Sequence, residues 1–202
     1  LLASMYGWFK GDNVLAKRWH YNYKKMCKYR SFVVLSKDKG ENWSYLSTIA
    51  YDPEVGGEGF CEPVLSPTAD GAIMTMMRTG SGEPMYQSKS KDQGKTWSKP
   101  ISVGALGVDP DMVLLSNGVL ACSYGRPGNN VMFSVDGTGK EWSHHIVLPS
   151  RWFGETGGYT SIREAKPNDI LVTFSARNWV NAEGKEPTTC HRCIKIKVQK
   201  KQ

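Results

Sequence analysis

The chain has 202 residues, of which 40% are hydrophobic and 22% are charged. This is the composition of a globular protein with a sizeable core, so the sequence excludes a disordered chain and a fibrous one. No apolar run approaches the roughly 20 residues that span a bilayer, and we therefore predict no membrane span.

The first predicted strand is "LLASMYG" at residues 1–7, and a basic, aromatic segment, "KRWHYNYKKMCKYR", follows at residues 17–30. Together with the formal net charge of +7, this segment could attract single-stranded nucleic acid, because aromatic rings stack on bases and cations bind phosphates. Such a protein should carry basic residues across its repeated units, whereas here they cluster outside them. We therefore favour a solvated insertion between two strands and predict no nucleic-acid partner.

A Ser-x-Asp-x-Gly-x-x-Trp box occurs twice, as "SKDKGENW" at residues 36–43 and "SKDQGKTW" at residues 90–97. A third copy with one extra residue, "SVDGTGKEW", stands at residues 134–142. Each copy separates two short runs rich in β-branched or aromatic residues, so each is predicted to be the turn of a β-hairpin. In that turn Asp can accept hydrogen bonds from amides, Gly can adopt a positive φ, and Trp can pack over the turn. The predicted structural residues are Ser36, Asp38, Gly40, Trp43, Ser90, Asp92, Gly94, Trp97, Ser134, Asp136, Gly139 and Trp142.

Two further predicted strands precede each of the last two hairpins, and they are joined by Asp70-Gly71 and Asn117-Gly118 turns. Each unit therefore has four antiparallel strands, which is typical of a propeller blade. We predict an all-β fold, with one β-propeller domain of which this chain supplies about four blades. The first unit lacks its first strand, so we expect earlier blades in a longer parent protein. The predicted blades occupy residues 1–51, 52–103, 104–149 and 150–202.

Neither the cysteines nor the histidines support metal binding or cofactor chemistry. Five cysteines are present, and Cys190 and Cys193 have the spacing of a CxxC pair. On a strand these two side chains would point to opposite faces, and no second pair completes a zinc site. The four histidines lack the nucleophile-elbow motif of Ser-His-Asp hydrolases. We therefore predict no metal, no cofactor and no catalytic triad.

The Ser-x-Asp-x-Gly-x-x-Trp box is identified as the Asp box of the sialidase superfamily, whose members resemble one another as six-bladed β-propellers. "CEPVLSPTADGAIMTMMR" at residues 61–78 is similar to the sialidase segment in which a Glu is followed, after a turn, by an Arg. "GGYTSI" at residues 157–162 is similar to the segment that carries the sialidase nucleophile. The resemblance implies a sialidase-like propeller and an active site on its inner strands.

Carried over to this sequence, the resemblance implies that Tyr159 is the nucleophile and that Glu62 is the base that activates it. It further implies that Arg78 and Arg126 bind the carboxylate of the substrate. These residue types suit an acidic sugar, because guanidinium groups bind a carboxylate in bidentate fashion. A neutral phenol would not be repelled by that carboxylate, and a phenol with a pKa of about 10 needs a base.

The implied function is an exo-glycosidase that hydrolyses a terminal acidic sugar, such as sialic acid, from glycans. The implied partner is a glycan or a small acidic sugar, and we expect a secreted or periplasmic protein. The resemblance places the family's first arginine and its acid/base aspartate in earlier blades, and no segment of this chain matches them. The 202 residues alone are therefore expected to be inactive or nearly so.

Two alternatives stay open at this point. One is a carbohydrate-binding propeller without catalysis, and the other is a glycosidase or lyase for another sugar that uses Glu62 and Asp109 as its acids. In "VDPDMVLL", Asp109 and Asp111 occupy the blade position that holds Glu62 in the preceding unit. Since equivalent inner-strand positions of a propeller surround one channel, both are candidates to face a ligand, and Asp109 is predicted to bind substrate.

Overall fold

The computed structural model describes residues 1–17, 26–149, 158–176 and 190–200, and these residues form strands and turns without a helix. None of them belongs to a helix that is long and apolar enough to cross a membrane. Residues 18–25 of the predicted insertion and parts of the predicted fourth blade lie outside the described residues. The strands are β1 Leu2–Gly7, β2 Arg30–Leu35, β3 Ser44–Ala50, β4 Cys61–Pro67, β5 Ile73–Arg78, β6 Pro84–Ser90, β7 Ile101–Leu106, β8 Val108–Leu114, β9 Leu120–Gly125, β10 Asn129–Ser134, β11 Ser143–Val147, β12 Thr160–Lys166, β13 Asp169–Ala176 and β14 Cys190–Lys197.

The strands form four antiparallel sheets in chain order: β1-β2-β3, β4-β5-β6-β7, β8-β9-β10-β11 and β12-β13-β14. Within each sheet every strand pairs with the next one along the chain, as short hairpin connections require. The first strands of successive sheets contact one another, β1 with β4, β4 with β8, and β8 with β12. The prediction of an all-β, partial β-propeller is confirmed.

The core lies between neighbouring sheets. Met74 and Met76 of β5 pack with Leu120 and Met132 of the next sheet, and all four side chains are fully buried. The central strands β5 and β9 are buried on both faces, because a sheet packs against each side of them. The outer strands β7 and β11 keep mostly exposed side chains. In these two sheets burial is highest in the central strands and lowest in the outer strands, as expected for stacked blades.

The second box shows the hydrogen bonding that makes the motif a turn. The Ser90 hydroxyl donates to the Asp92 carboxylate over 2.8 Å and accepts the Gly94 amide over 2.8 Å. The same carboxylate accepts the backbone amide and the hydroxyl of Thr96 at 2.9 and 2.6 Å. The Trp97 indole donates to the Gly94 carbonyl at 3.2 Å. The first box repeats this arrangement, so the four fixed positions are those that close the turn.

The boxes also join neighbouring sheets. Ser47 of β3 donates to the Gly94 carbonyl at 2.6 Å and accepts the Trp97 indole at 3.1 Å. In the third box, which has one extra residue, the Trp142 indole donates to the Gln87 side chain at 2.7 Å, and the Gln87 amide donates to the Gly139 carbonyl at 2.8 Å. Each of these two boxes is therefore hydrogen-bonded to the sheet that precedes its own.

The box aspartates should make the folded state sensitive to acid. Their hydrogen bonds, chiefly from backbone amides and side-chain donors, lower the pKa of Asp38 and of Asp92 to about 2, and the pKa of Asp136 is lowered for the same reason. Since these values lie below the ordinary 3.8, the unfolded chain binds more protons, and the stabilisation present above about pH 4 is lost as the pH falls toward 2. Urea unfolding midpoints between pH 6 and 2 should show this loss.

Asp92→Asn should lose less stability than the wild type over that range, because it removes one of the titrating carboxylates. Asp169→Asn is the matched control, since the contact of Asp169 within the described part of the chain is a long ion pair, of 3.7 Å, with the mostly exposed Lys195. It should follow the pH dependence of the wild type. Equal pH dependence of all three proteins would contradict the role assigned to the boxes.

Candidate active site

Three of the predicted site residues line one cavity of about 540 Å³ at the first strands of the sheets. Glu62 and Asp109 stand at equivalent places near the start of β4 and β8, and Tyr159 directly precedes β12. Glu62 and Asp109 have φ values of +46° and +48°, and a proline follows each of them. A positive φ is uncommon outside glycine and costs backbone energy, so both carboxylates are held in a specific direction by the surrounding structure. The described residues that line the cavity are Tyr6, Glu62, Pro63, Val64, Asp109, Pro110, Asp111, Tyr159, Thr160 and Arg163.

The Tyr159 hydroxyl donates a long hydrogen bond, of 3.4 Å, to Glu62 Oε1. Tyr159 keeps 47% of its surface exposed, so its phenol is accessible from the cavity. Partial burial and then the negative charge of Glu62 raise the pKa of Tyr159 above its ordinary value of 10. The phenol is therefore neutral at physiological pH and lies beside a carboxylate that can accept its proton.

Arg78 is buried between two carboxylates. Its Nη1 donates to Glu62 Oε1 over 2.7 Å, and its Nη2 lies 2.9 Å from Glu58 Oε2. Burial acts to lower the pKa of Arg78, but the charges of Glu62 and Glu58 outweigh this effect and raise that pKa, so the guanidinium stays charged. Only 8% of Arg78 is exposed. In this arrangement its charge is compensated inside the protein, and it holds Glu62 in place.

Arg126 follows β9 and lies over Tyr159, with its Cζ 5.4 Å from the centroid of the phenol ring. Its Nη1 donates to Ser81 Oγ at 3.1 Å, and the same oxygen accepts Arg78 Nη2 at 3.2 Å. One hydroxyl in the turn after β5 thus brings the two arginines of neighbouring sheets together. The cation over the ring adds positive potential at the cavity wall.

Carboxylate-to-amide hydrogen bonds connect the first strands of successive sheets. Glu62 Oε2 accepts the Asp109 amide at 2.8 Å, and Asp109 Oδ2 accepts the Thr160 amide at 3.1 Å. Asp111 Oδ2 accepts the Ile162 amide at 3.0 Å and the Arg163 guanidinium at 2.7 Å. Burial and then the charge of Glu62 raise the pKa of Asp109 to about 6, whereas Asp111 is used for structural contacts.

The structure brings together Glu62, Arg78, Asp109, Arg126 and Tyr159, which the sequence assigned to catalysis or substrate binding. The described lining of the cavity contains Glu62, Asp109 and Tyr159 but neither of the two arginines. The box residues lie at the hairpin turns, in accord with a structural role. Among the described residues, no group of three or more His, Cys, Asp or Glu could hold a metal ion.

Sequence reasoning missed Tyr6, Glu58 and Ser81. Tyr6, near the end of β1, lines the same cavity and is 45% exposed. Glu58 lies in the glycine-rich run before β4, and nothing in its local sequence distinguishes it from a solvated acid. Ser81 stands in "TGSG", directly after Arg78, and a small hydroxyl residue at that place was the one available signal.

A family model described as a BNR repeat-like domain matches residues 10–165. No curated protein matches the chain. A crystal structure of a protein of unknown function from Dyadobacter fermentans is similar over 83% of this chain and 44% of its own, with 22% identity and a TM-score of 0.67. The intramolecular trans-sialidase from Ruminococcus gnavus, in complex with oseltamivir carboxylate, is similar over 87% of this chain and 42% of its own, with 19% identity and a TM-score of 0.59.

An α-L-arabinofuranosidase mutant from Fusarium graminearum, in complex with an iminosugar inhibitor, is similar over 82% of this chain and 54% of its own, with 17% identity and a TM-score of 0.54. This chain thus spans about half the length of these solved structures. At such identities they show the shared propeller fold, while the family model covers most of the sequence. The chain belongs to the BNR repeat-like domain family and has the sialidase-like β-propeller fold.

Proposed function

We propose that the protein is an exo-glycosidase of the sialidase type, which releases a terminal acidic sugar with Tyr159 as nucleophile and Glu62 as its base. The observation that carries the proposal is the hydrogen bond from the Tyr159 hydroxyl to Glu62 Oε1, at the wall of an open cavity. The fold shared with the trans-sialidase of Ruminococcus gnavus supports it. An acidic sugar favours a tyrosine nucleophile, since a carboxylate nucleophile would be repelled by the carboxylate of the sugar.

Proton transfer and charge compensation are linked in this mechanism. As the Tyr159 oxygen attacks the anomeric carbon, its proton passes to Glu62, which then no longer neutralises Arg78. Glu58 stays paired with Arg78, so the proton transfer removes the net negative charge that this group of residues places beside the phenol. Arg126, over the phenol ring, is the arginine placed to attract the carboxylate of the incoming sugar. Charge stabilisation that develops only during the reaction is the kind that raises kcat.

A second candidate function has a specific observation in its favour. Three carboxylates line the cavity, those of Glu62, Asp109 and Asp111, and Arg163 is the cationic residue among its described lining residues. Such a wall suits a neutral sugar, for which a pair of carboxylates is the usual catalytic set. In this candidate Glu62 and Asp109 perform the chemistry, and the shared fold of the Fusarium α-L-arabinofuranosidase supports it.

A panel of fluorogenic substrates tests these functions. The 202-residue chain and the longest natural protein that contains it are incubated with a 4-methylumbelliferyl α-sialoside and with the aryl α-L-arabinofuranoside. We expect the longer protein to hydrolyse the sialoside and the 202-residue chain to be nearly inactive, because acid/base help worth about 10²–10⁴-fold depends on a completed site. Hydrolysis of only the neutral glycoside would support the second candidate.

Equal turnover of the sialoside by both proteins would contradict the expectation that the 202 residues are insufficient. Binding of free sialic acid, measured by calorimetry, without hydrolysis of any substrate would replace both proposals with a carbohydrate-binding propeller. The Arg126→Lys variant tests whether Arg126 binds the carboxylate of the sugar, because it keeps the positive charge and removes the planar set of guanidinium donors. It should raise the KM for the sialoside and leave the KM for a neutral glycoside unchanged.

A further inference from the structure

We propose that Glu58 is a positioning residue of the reaction: it is a second counter-charge for Arg78, so that Glu62 can take up the proton of Tyr159 without leaving a buried cation unpaired. The inference rests on the proposed function, in which Glu62 is the base. It assigns a role to a residue outside the described lining of the cavity.

Glu58 and Glu62 bind different nitrogens of one guanidinium. Arg78 Nη1 donates to Glu62 Oε1 at 2.7 Å, while Arg78 Nη2 donates to Glu58 Oε1 at 3.1 Å and lies 2.9 Å from Glu58 Oε2. The side chains of Arg78 and Glu58 are each 9% exposed, and that of Glu62 is 15% exposed. Among the described residues these two carboxylates are the acids that pair with Arg78, and Arg78 Nε is buried without an acceptor. Water has little access to this cation, so its charge is compensated by the two carboxylates.

The backbone fixes Glu58 beside Arg78. The Glu58 amide donates to the carbonyl of Thr79, the residue that follows Arg78, at 2.9 Å, and the Glu58 carbonyl accepts the Tyr29 amide at 2.8 Å. A Cβ on Gly59 would overlap the backbone of Tyr29, so the segment is packed as closely as its glycine allows. The pairing of Glu58 with Arg78 thus follows from the path of the chain and does not depend on a flexible surface side chain.

Glu58 matters when Glu62 loses its charge. In the proposed step the Tyr159 oxygen bonds to the anomeric carbon and its proton passes to Glu62, while the departing group leaves with the electron pair of the broken bond. A protonated Glu62 no longer compensates Arg78, and a buried cation that loses its partner is costly. Because Glu58 stays ionised beside Arg78 Nη2, the guanidinium remains paired throughout the step.

A double-mutant cycle on stability tests the counter-charge directly. Glu62→Gln imitates the protonated base, since it removes the charge and keeps the size of the side chain. In the longest natural protein that contains this chain, Glu62→Gln and Glu58→Gln should each be tolerated, because one carboxylate still faces Arg78. The double variant leaves Arg78 without a counter-charge. Its unfolding equilibrium constant in urea should rise by about 10²-fold beyond the product of the two single effects.

Kinetics on the fluorogenic sialoside test the consequence for the reaction. Glu58→Gln should lower kcat by about 10²-fold, because proton transfer to Glu62 then leaves Arg78 unpaired. It should bind free sialic acid at least as tightly as the wild type in calorimetry, because a negative charge near the cavity is removed. A site disordered by the substitution would instead lose both turnover and binding. Glu58→Asp keeps the charge and should recover part of kcat.

Glu54→Gln is the matched control for the removal of a charge from the same segment. The Glu54 side chain is 84% exposed and pairs with Lys17 at 3.8 Å, so kcat should stay within about twofold of the wild type. Additive stability effects of Glu62→Gln and Glu58→Gln would overturn the role of Glu58. So would a kcat of Glu58→Gln within about threefold of the wild type, or a fall in its kcat together with weaker binding of sialic acid.

Failure of the proposed function gives a different result. A wild type that does not hydrolyse the sialoside overturns the proposed function, whereas the stability cycle does not depend on turnover. If the wild type cleaves the neutral glycoside, the comparison of Glu58→Gln with Glu54→Gln on that substrate decides the role of Glu58, because Glu62 exchanges a proton in that candidate as well. A wild type that cleaves neither substrate would overturn the role of Glu58 together with both candidate functions.

Discussion

Replacing Tyr159 by phenylalanine should abolish sialoside hydrolysis, with a fall in kcat of about 10⁴-fold or more. The substitution removes the oxygen that would form the covalent bond, and loss of a nucleophile is among the largest effects that single substitutions have on catalysis. The ring, its contact with Arg126 and its half-exposed position would remain. Steady-state kinetics of the longest natural protein that contains this chain, on the fluorogenic sialoside, measure the loss. A urea unfolding midpoint equal to that of the wild type shows that the fold is kept.

Tyr6→Phe is the matched control for this experiment. Tyr6 lines the same cavity, is 45% exposed, and also has a raised pKa, caused by burial and then by the charge of Glu62. Its phenylalanine variant should keep kcat within about 10-fold of the wild type, since no reacting atom is removed. Residual activity of Tyr159→Phe near that of the wild type would exclude tyrosine as the nucleophile and favour the two-carboxylate mechanism.

Gly125→Ala should destabilise the protein by about 3 kcal/mol or more, the largest stability effect that we expect from a single methyl group. A Cβ on Gly125 would overlap the Gly158 carbonyl oxygen and the carbon that carries it. Both are backbone atoms, which cannot rotate away as a side chain can. The segment that would have to move leads directly into Tyr159, so catalysis should fall along with the urea unfolding midpoint.

Gly7→Ala provides the comparison, because Gly7 ends β1 as Gly125 ends β9. Among the described residues, its own chain neighbours aside, no heavy atom lies within 4 Å of its added Cβ. We expect a change within about 0.5 kcal/mol for this variant. Similar unfolding midpoints for the two alanine variants would show that the close approach of Gly125 and Gly158 is unimportant for stability.

The strand order could be predicted from the sequence because each turn is determined by the residues within it. Asp70-Gly71 and Asn117-Gly118 connect the first two strands of their sheets, and both glycines have the positive φ that such turns need. The boxes close on their own side chains, within a span of about eight residues. Features of this kind depend on no distant contact, so a pattern in one sequence is enough to find them.

The charge state of the site could not be predicted in the same way. Arg78 is held by Glu58, which comes from the segment before β4, and by Glu62, on the neighbouring strand. Sequence patterns assign these residues to turns and strands but do not show that one guanidinium compensates two carboxylates. The resemblance implies an arginine that is ready for substrate, whereas the structure shows one that is engaged inside the protein.

The segment at residues 17–30 also makes contacts that could not be predicted from the sequence. The prediction of a solvated insertion is wrong at Lys28, which is fully buried. Its ammonium group donates to the carbonyl oxygens of Pro53 and Val55 at 2.7 and 3.0 Å. Burial lowers the pKa of Lys28, and the two carbonyls accept hydrogen bonds from two of its three donors. A buried lysine of this kind depends on the path of a distant loop, which composition does not indicate.

The Asp109 amide donates to Glu62 and the Thr160 amide donates to Asp109, so each of these carboxylates joins two sheets in addition to its proposed role in the chemistry. Glutamine and asparagine at these positions would retain an oxygen for the amide of the next sheet and lose the ability to exchange protons. A single nucleotide change can convert an aspartate codon to an asparagine codon. Under the proposed function, such substitutions would remove catalysis and keep the contacts between the sheets.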